Sequence, residues 1–224
     1  MILKTFGCSN TRGAELKNPS ISAWPVLVGK KLNMLVKNYG QGGASNDQII
    51  QDSIEKSPKT EKLLIIIMTT HPARVYWPIP DATDIEFGKK HDGYRSINYG
   101  RMHRTQFVPN FKPKYDPKSG ILRSKTYSLW VKYHFNHDST IRYQRMQFKW
   151  CKELLESRGH TVYMFNWEPY NDSDEEIIVQ NKTETMNDIC QNMLKGKSNH
   201  FLEDAQEVWA NYVYKIINQN KNKK

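Results

Sequence analysis

The chain has few cysteines, no long apolar run and no group of residues at metal-ligand spacing. Its 3 Cys are an odd number, which predicts a reducing compartment, no disulfide framework and no metal or other cofactor. No apolar run approaches the length of a membrane-spanning helix. The first predicted strand starts at Ile2, which leaves no room for a signal peptide. We therefore expect no contact with a membrane and a cytoplasmic location.

The composition is that of one folded domain with a polar surface. The chain has 224 residues, of which 38% are hydrophobic, and it contains 6 Trp. Its mean hydropathy of -0.74 is low, but this content of apolar and aromatic residues argues against disorder. The length suits a single α/β domain over residues 1–224.

The net charge of +10 comes from one segment, residues 88–147, which we call the basic segment. It holds 13 Lys and Arg against 3 Asp and Glu, so its surplus equals the net charge of the whole chain. It also holds 10 aromatic residues and 4 His. Basic residues interleaved with aromatics are typical of surfaces that bind polyanions or nucleic acid. The alternative is a solvated lid, because no known nucleic-acid motif is present.

Apolar runs and helical patterns alternate along the chain. Strands are predicted at Ile2–Thr5, Met34–Lys37, Leu63–Met68 and Thr161–Asn166. Leu63–Met68 has the continuous apolar character of a central parallel strand buried on both faces. The order of strands and helices implies right-handed βαβ units, hence a three-layer α/β/α domain with a flavodoxin-like parallel sheet.

Capping residues and breakers delimit the predicted helices. Trp24 and Pro25 open the first, Asn46 or Asp47 caps the second, and Asp138 or Ser139 caps a third that ends before Gly159. The last helix spans 202–217, and residues 218–224 are expected to fray. An insertion or lid is expected at about 75–137. The last helix has one apolar stripe, made of Ala205, Val208, Trp209, Tyr212, Val213 and Ile216.

The most informative stretch is Phe6–Gly13, directly after the first strand. Ser9 lies there between two glycines, where an open α/β sheet presents ligand-binding loops at its carboxyl edge. An ordinary turn is the alternative. Further loops follow the second strand at Gly43 and the third at Thr69 and Thr70. The last helix is preceded by the stretch Lys197-Ser198-Asn199-His200.

Taken in order, these motifs resemble the SGNH (GDSL-type) hydrolase family. More specifically, they resemble the branch common in phage genomes, whose first block reads Gly-Cys-Ser. The resemblance is carried by residues 7–13, 24–25, 38–47, 70–74, 199–200 and 209–210. It implies a serine esterase or deacylase that acts on a carbohydrate ester or another small ester. If a phage encodes the chain, the cytoplasm is that of its host, and the virion is another location.

The resemblance implies a role for each matching residue. Ser9 is the nucleophile and His200 the general base that activates it. The backbone N–H groups of Ser9 and Gly43 donate to the oxyanion. Asn10 and Arg74 are candidates for substrate contact. Cys8 is expected to pack inward rather than to react.

The sequence departs from the family pattern at two positions. The family's third block supplies an Asn to the oxyanion hole, where this chain offers Thr70. The family's last block has an Asp before the His, where this chain has Lys197 and Ser198. Ser198, a backbone carbonyl or another acid such as Asp188 could orient His200 instead. The remaining interpretation is a slow or inactive site in a binding or structural protein, with the basic segment binding nucleic acid or another polyanion.

Overall fold

The computed structural model describes residues 1–70, 78–79, 95–96, 137–166, 184–197 and 200–221. Almost all of the predicted insertion at 75–137 lies outside these ranges. So do two predicted site residues, Arg74 and Ser198.

Four parallel strands form the main sheet, in the order β2-β1-β3-β6. The predicted strands are confirmed, with ends that differ by at most three residues, the largest difference being the end of β2 at Gly40 instead of Lys37. Two further short strands, β4 and β5, pair antiparallel with each other. The bounds are β1 (Ile2–Gly7), β2 (Leu35–Gly40), β3 (Leu63–Met68), β4 (Pro78–Ile79), β5 (Arg95–Ser96) and β6 (Thr161–Phe165).

The described helices include three short ones that the sequence did not predict, namely α1, α2 and α6. The long helix before β6 starts at His137, and the last helix continues four residues beyond the predicted end. The bounds are α1 (Ser9–Arg12), α2 (Pro19–Ser22), α3 (Trp24–Leu32), α4 (Asn46–Glu55), α5 (His137–Ser157), α6 (Met186–Ile189) and α7 (Glu203–Lys221).

Helices cover both faces of the sheet, so the predicted three-layer α/β/α fold is confirmed. All six residues of β3 are buried, and successive side chains enter opposite cores. One core packs β3 against α3 and α7, with Trp24 and Trp209 fully buried. The other packs β3 against α4 and α5, through Ile49 and Phe148.

The predicted apolar stripe of α7 is correct except at one position. Ala205, Trp209, Val213 and Ile216 are buried in the first core, whereas Val208 is 38% exposed. No helix in the described parts of the chain is both long and apolar enough to cross a membrane.

A buried histidine lies at the amino end of the sheet, directly before β6. The Nε2 atom of His160 is 3.3 Å from the carbonyl oxygen of Ser57, which also accepts a hydrogen bond from Arg158. Burial lowers the pKa of His160 below its ordinary value of 6.5, and the charges of Arg158 and Lys4 lower it further. The Ser57 carbonyl and Glu61 oppose this shift.

This shift makes His160 an acid-sensitive element of the fold. The unfolded chain binds a proton near pH 6.5, while the folded chain binds it only at lower pH. His160 therefore contributes stability that is present above pH 6.5 and is lost as the pH falls through its folded pKa. We expect His160→Gln to flatten the fall in the free energy of unfolding between pH 7.5 and pH 5, measured by urea titration. Equal pH dependence in both proteins would contradict this role.

Candidate functional site

The sheet brings four of the predicted site residues to its carboxyl edge. Ser9 follows β1, Gly43 lies in the loop after β2, and Thr70 follows β3. His200 lies just before α7, and the backbone N–H of the next residue, Phe201, hydrogen-bonds the side chain of Asn10. The segment that carries His200 therefore contacts the corner that carries Ser9.

The Ser9 corner is a short helix packed tightly against the end of β2. Ser9 is the first residue of α1 and is 6% exposed. Backbone N–H groups in the first turn of a helix have no acceptor within that helix, so the Ser9 N–H points out of the turn. At the other end of α1, the Asn38 side chain donates to the carbonyl of Thr11 at 2.8 Å.

Gly40 permits this close approach. A Cβ atom at Gly40 would lie 2.4 Å from the backbone nitrogen of Arg12, a distance that only movement of the main chain could relieve. Beyond the strands, the N–H of Gln41 donates to the carbonyl of Gly7 at 3.0 Å, which joins the two loops at the sheet edge. The glycines of the second loop therefore have a packing role as well as a turn role.

Gly43 occupies a tight turn between β2 and α4. Its φ of 77° lies in the left-handed region, where glycine is favoured. The turn is closed by a hydrogen bond from the N–H of Ala44 to the carbonyl of Gln41. Ser45 caps α4 by accepting from the N–H of Gln48, so the predicted caps Asn46 and Asp47 were wrong by one or two residues.

Asn46 instead hydrogen-bonds the backbone of the third loop, at Thr70. Its Oδ1 accepts from the N–H of Thr70 at 2.8 Å, and its Nδ2 donates to the carbonyl of Thr70 at 3.0 Å. The same Nδ2 donates to Gln144 of α5. Asn46 is fully buried, so this pair of bonds fixes the backbone of Thr70 next to the Ser9 corner. The predicted donation by the Thr70 hydroxyl to an oxyanion stays a prediction.

His200 meets a carboxylate that the sequence did not indicate. Its Nδ1 is 2.8 Å from Oε2 of Glu15, in the loop after α1. The two side chains are 13% and 24% exposed. An ionised carboxylate can only accept, so this hydrogen bond requires the tautomer with the proton on Nδ1, which leaves the lone pair of a neutral imidazole on Nε2. Glu15 is 185 positions away and belongs to no motif, which is why sequence reasoning missed it.

Two buried amides hold the backbone next to His200. The Oδ1 of Asn10 accepts from the N–H of Phe201 at 3.2 Å, and Gln206 donates to its carbonyl at the same distance. Gln206 also accepts from the N–H of Trp24. Asn10 is 3% exposed, so the structure gives it a positioning contact; its predicted contact with substrate stays a prediction.

The alternative acid Asp188 is used elsewhere. Its carboxylate accepts from the backbone N–H and the hydroxyl of Thr185, which makes a capping box at the start of α6. The expectation that Asp188 orients His200 is therefore corrected. Ser198 lies outside the described residues, and its predicted orienting role stays a prediction.

Ser9 and His200 do not hydrogen-bond each other in this structure, although they lie at the same sheet edge. Such bonds are often long before substrate binds. The cysteines do not compete as nucleophiles: Cys8 is 1% exposed, and burial raises the pKa of Cys151 and of Cys190 to about 11. Within the described ranges, no group of His, Cys, Asp and Glu side chains could hold a metal ion.

Comparison with known proteins finds structural likeness only at a distance. No protein-family model matches the chain, and no curated protein matches it. A solved structure of a candidate lipolytic protein of the G-D-S-L family from Desulfitobacterium hafniense DCB-2 is similar over 96% of this chain and 98% of that chain. The identity is 13% and the TM-score 0.37, values at which the likeness carries no argument about the site.

Proposed function

We propose that the protein is a serine ester hydrolase of the SGNH type. The observation that carries the proposal is the placement of Ser9, Gly43, Thr70 and His200 at one edge of a parallel sheet. A hydroxyl needs an adjacent base to become a nucleophile, and the developing oxyanion needs donors that are already in place. We assign the first requirement to His200, acting on Ser9, and the second to Ser9, Gly43 and Thr70.

The proposed reaction passes through an acyl-enzyme on Ser9. Nε2 of His200 takes the Ser9 proton while the Ser9 oxygen bonds to the ester carbonyl carbon. The N–H groups of Ser9 and Gly43 and the hydroxyl of Thr70 donate to the resulting oxyanion. Collapse of this intermediate expels the alcohol, which takes the proton from His200. Water activated by His200 then releases the acid and regenerates Ser9.

The proposed substrate is a carbohydrate ester or another small ester, and the reaction needs no cofactor. Arg74 remains a candidate for substrate contact, although it lies outside the described residues. The proposed location is the cytoplasm, of an infected host if the chain is encoded by a phage, or else the virion.

Hydrolysis of activated aryl esters of increasing acyl length tests the proposal. We expect turnover above the spontaneous rate, preceded by a burst of phenol that approaches one equivalent per chain when deacylation is the slower step. A folded protein that turns over none of these esters would favour the alternative, an SGNH-like protein that has lost catalysis and keeps a binding or structural role.

A second candidate function, binding of a polyanion, is supported by the charge of the basic segment. At the described end of the basic segment, on α5, Arg142 is exposed and Tyr143 is 56% exposed. Trp150, just beyond the segment on the same helix, is 58% exposed. Arg145, by contrast, is 7% exposed and adds little to such a surface.

The polyanion proposal predicts salt-dependent binding. Replacing Lys112, Lys114 and Arg123 together with Gln should weaken retention on heparin and make it less dependent on salt, because fewer counterions are released. The proposal would be contradicted if the wild-type protein were retained equally at about 50 and about 300 mM salt.

A further inference from the structure

We infer that Glu15 is the acid that positions His200 in the site. It takes the role that an Asp before the His has in the SGNH family, which the sequence resembles. The inference rests on the proposed function, because it assigns Glu15 to act through the base of that reaction. A carboxylate on Nδ1 fixes the tautomer of a catalytic His and stabilises the imidazolium that forms when it takes a proton. In this chain the carboxylate comes from the loop of the nucleophile itself.

The geometry of the contact is that of an orienting hydrogen bond. Oε2 of Glu15 lies 2.8 Å from Nδ1 of His200 and also 3.4 Å from the backbone N–H of His200. One oxygen therefore accepts from both the ring and the main chain of the same residue, which restrains the ring about its side-chain torsions. The two side chains are 13% and 24% exposed, so the contact is partly shielded from solvent and less screened than one between fully exposed groups.

The backbone of Glu15 is strained in a way that serves this contact. Its φ is 68°, in the left-handed region that non-glycine residues seldom occupy because it is sterically strained. The strained turn begins at Gly13, the C-cap of α1, and includes a hydrogen bond from the N–H of Ala14 to the carbonyl of Ser9. The nucleophile and the acid therefore belong to one short rigid corner.

The loop that carries His200 is shaped to receive the carboxylate. The N–H of Gly196 donates to the carbonyl of His200 at 2.8 Å, which holds Gly196 beside the residue that Glu15 contacts. A Cβ atom at Gly196 would lie 2.8 Å from Oε2 of Glu15 and 3.0 Å from its Cδ. Any larger residue at position 196 would push the carboxylate away from its present place.

A purely structural role for the pair is the competing explanation. The two segments are already joined by the bond from the Phe201 N–H to Asn10, and the Lys17 N–H bonds the carboxylate of Glu203 at 3.0 Å. A partly exposed contact of this kind adds little to stability. Holding the loops together therefore does not explain why a strained residue presents its carboxylate to Nδ1.

Glu15→Gln tests the inference, with Glu203→Gln as the matched control. Both variants remove a carboxylate that binds backbone across the same two segments, but only Glu15 contacts the imidazole. We expect Glu15→Gln to lower kcat by roughly 10²–10³, less than the 10⁴ of a fully buried triad, with KM nearly unchanged. Glu203→Gln should stay within about twofold, in line with its exposed position.

The tautomer of His200, read from its ring ¹⁵N shifts, reports the contact without any turnover. We expect the proton on Nδ1 in the wild type and a shift toward Nε2 in Glu15→Gln, because the new amide can donate to Nδ1. Gly196→Ala should also lower kcat and shift the His200 proton toward Nε2, because the added methyl would lie 2.8 Å from Oε2, 3.0 Å from Cδ and 3.2 Å from Cβ of Glu15 and would displace that side chain. The variant should still fold, because these three nearest atoms all belong to one side chain.

The outcomes separate this inference from the proposed function. Loss of kcat with a changed tautomer in Glu15→Gln and Gly196→Ala, but not in Glu203→Gln, supports the inference. An active wild type that loses activity in Ser9→Ala and His200→Ala but keeps it within twofold in Glu15→Gln overturns the inference and leaves the function standing. A folded wild type that neither turns over esters nor reacts with a fluorophosphonate overturns both.

Discussion

Replacing Ser9 with Ala is expected to abolish ester hydrolysis, lowering kcat by roughly 10⁵–10⁶, the scale on which a serine protease loses activity without its nucleophile. The reason is that Ser9 is the residue assigned to form the acyl-enzyme, and the neighbouring hydroxyls of Thr11 and Thr70 are 0% and 2% exposed. Ser9→Ala removes a single oxygen atom and adds no volume, so the fold should stay intact although the Ser9 side chain is 6% exposed. The measurement is kcat for an aryl ester in a protein shown to be folded by thermal unfolding.

Cys8→Ala is the matched control for the nucleophile. Cys8 precedes Ser9 in the chain and is 1% exposed, facing the interior rather than the site. We expect Cys8→Ala to cost some stability, about 1 kcal/mol for a small buried side chain, and to retain most activity. Full activity in Ser9→Ala, or loss of activity in Cys8→Ala alone, would show that Ser9 is not the nucleophile.

His200→Ala is expected to lower kcat nearly as far as Ser9→Ala. Without Nε2, the Ser9 hydroxyl has no described base to take its proton. Residues that act as one unit are strongly non-additive, so the double variant should be no slower than either single variant. Measurement of kcat in all four proteins of this cycle gives the coupling between the two side chains directly.

His160→Gln is the control for this cycle, assayed at pH 7.5, where the acid sensitivity of His160 is not expressed. His160 is buried at the opposite end of the sheet, so removal of its imidazole should not affect turnover.

A double variant of Ser9 and His200 that is slower than Ser9→Ala by the full effect of His200→Ala would mean that the two residues act independently. That result would contradict a shared role as nucleophile and base.

The sheet could be predicted because its strands have a strong local signal. Leu63–Met68 is apolar at every position, and its length of six residues with three consecutive Ile favours a strand buried on both faces. Once the strands are placed, their parallel order brings the loops that contain Ser9, Gly43 and Thr70 to one edge of the sheet. The topology therefore supplied the candidate site before any side-chain contact was known.

The supporting residues could not be predicted because their contacts are long-range and their types are common. Glu15 in a polar loop and Gln206 in a helix look like ordinary surface residues, yet each reaches across the fold to the segment of His200 or Phe201. Asn46 looked like a helix cap, because Asn is a strong capping residue. Ser45, one residue earlier, caps the helix and leaves the Asn46 amide for Thr70.

Peptide mapping after treatment with a fluorophosphonate tests the central claim most directly. The account predicts a single adduct on the Ser9 hydroxyl of the wild-type protein, formed far more slowly in His200→Ala and absent in Ser9→Ala. The tryptic peptide that contains Ser9 runs from Thr5 to Arg12 and holds two other hydroxyls, on Thr5 and Thr11, whose side chains are both fully buried. An adduct on any other residue, or none in a folded protein, would contradict the account.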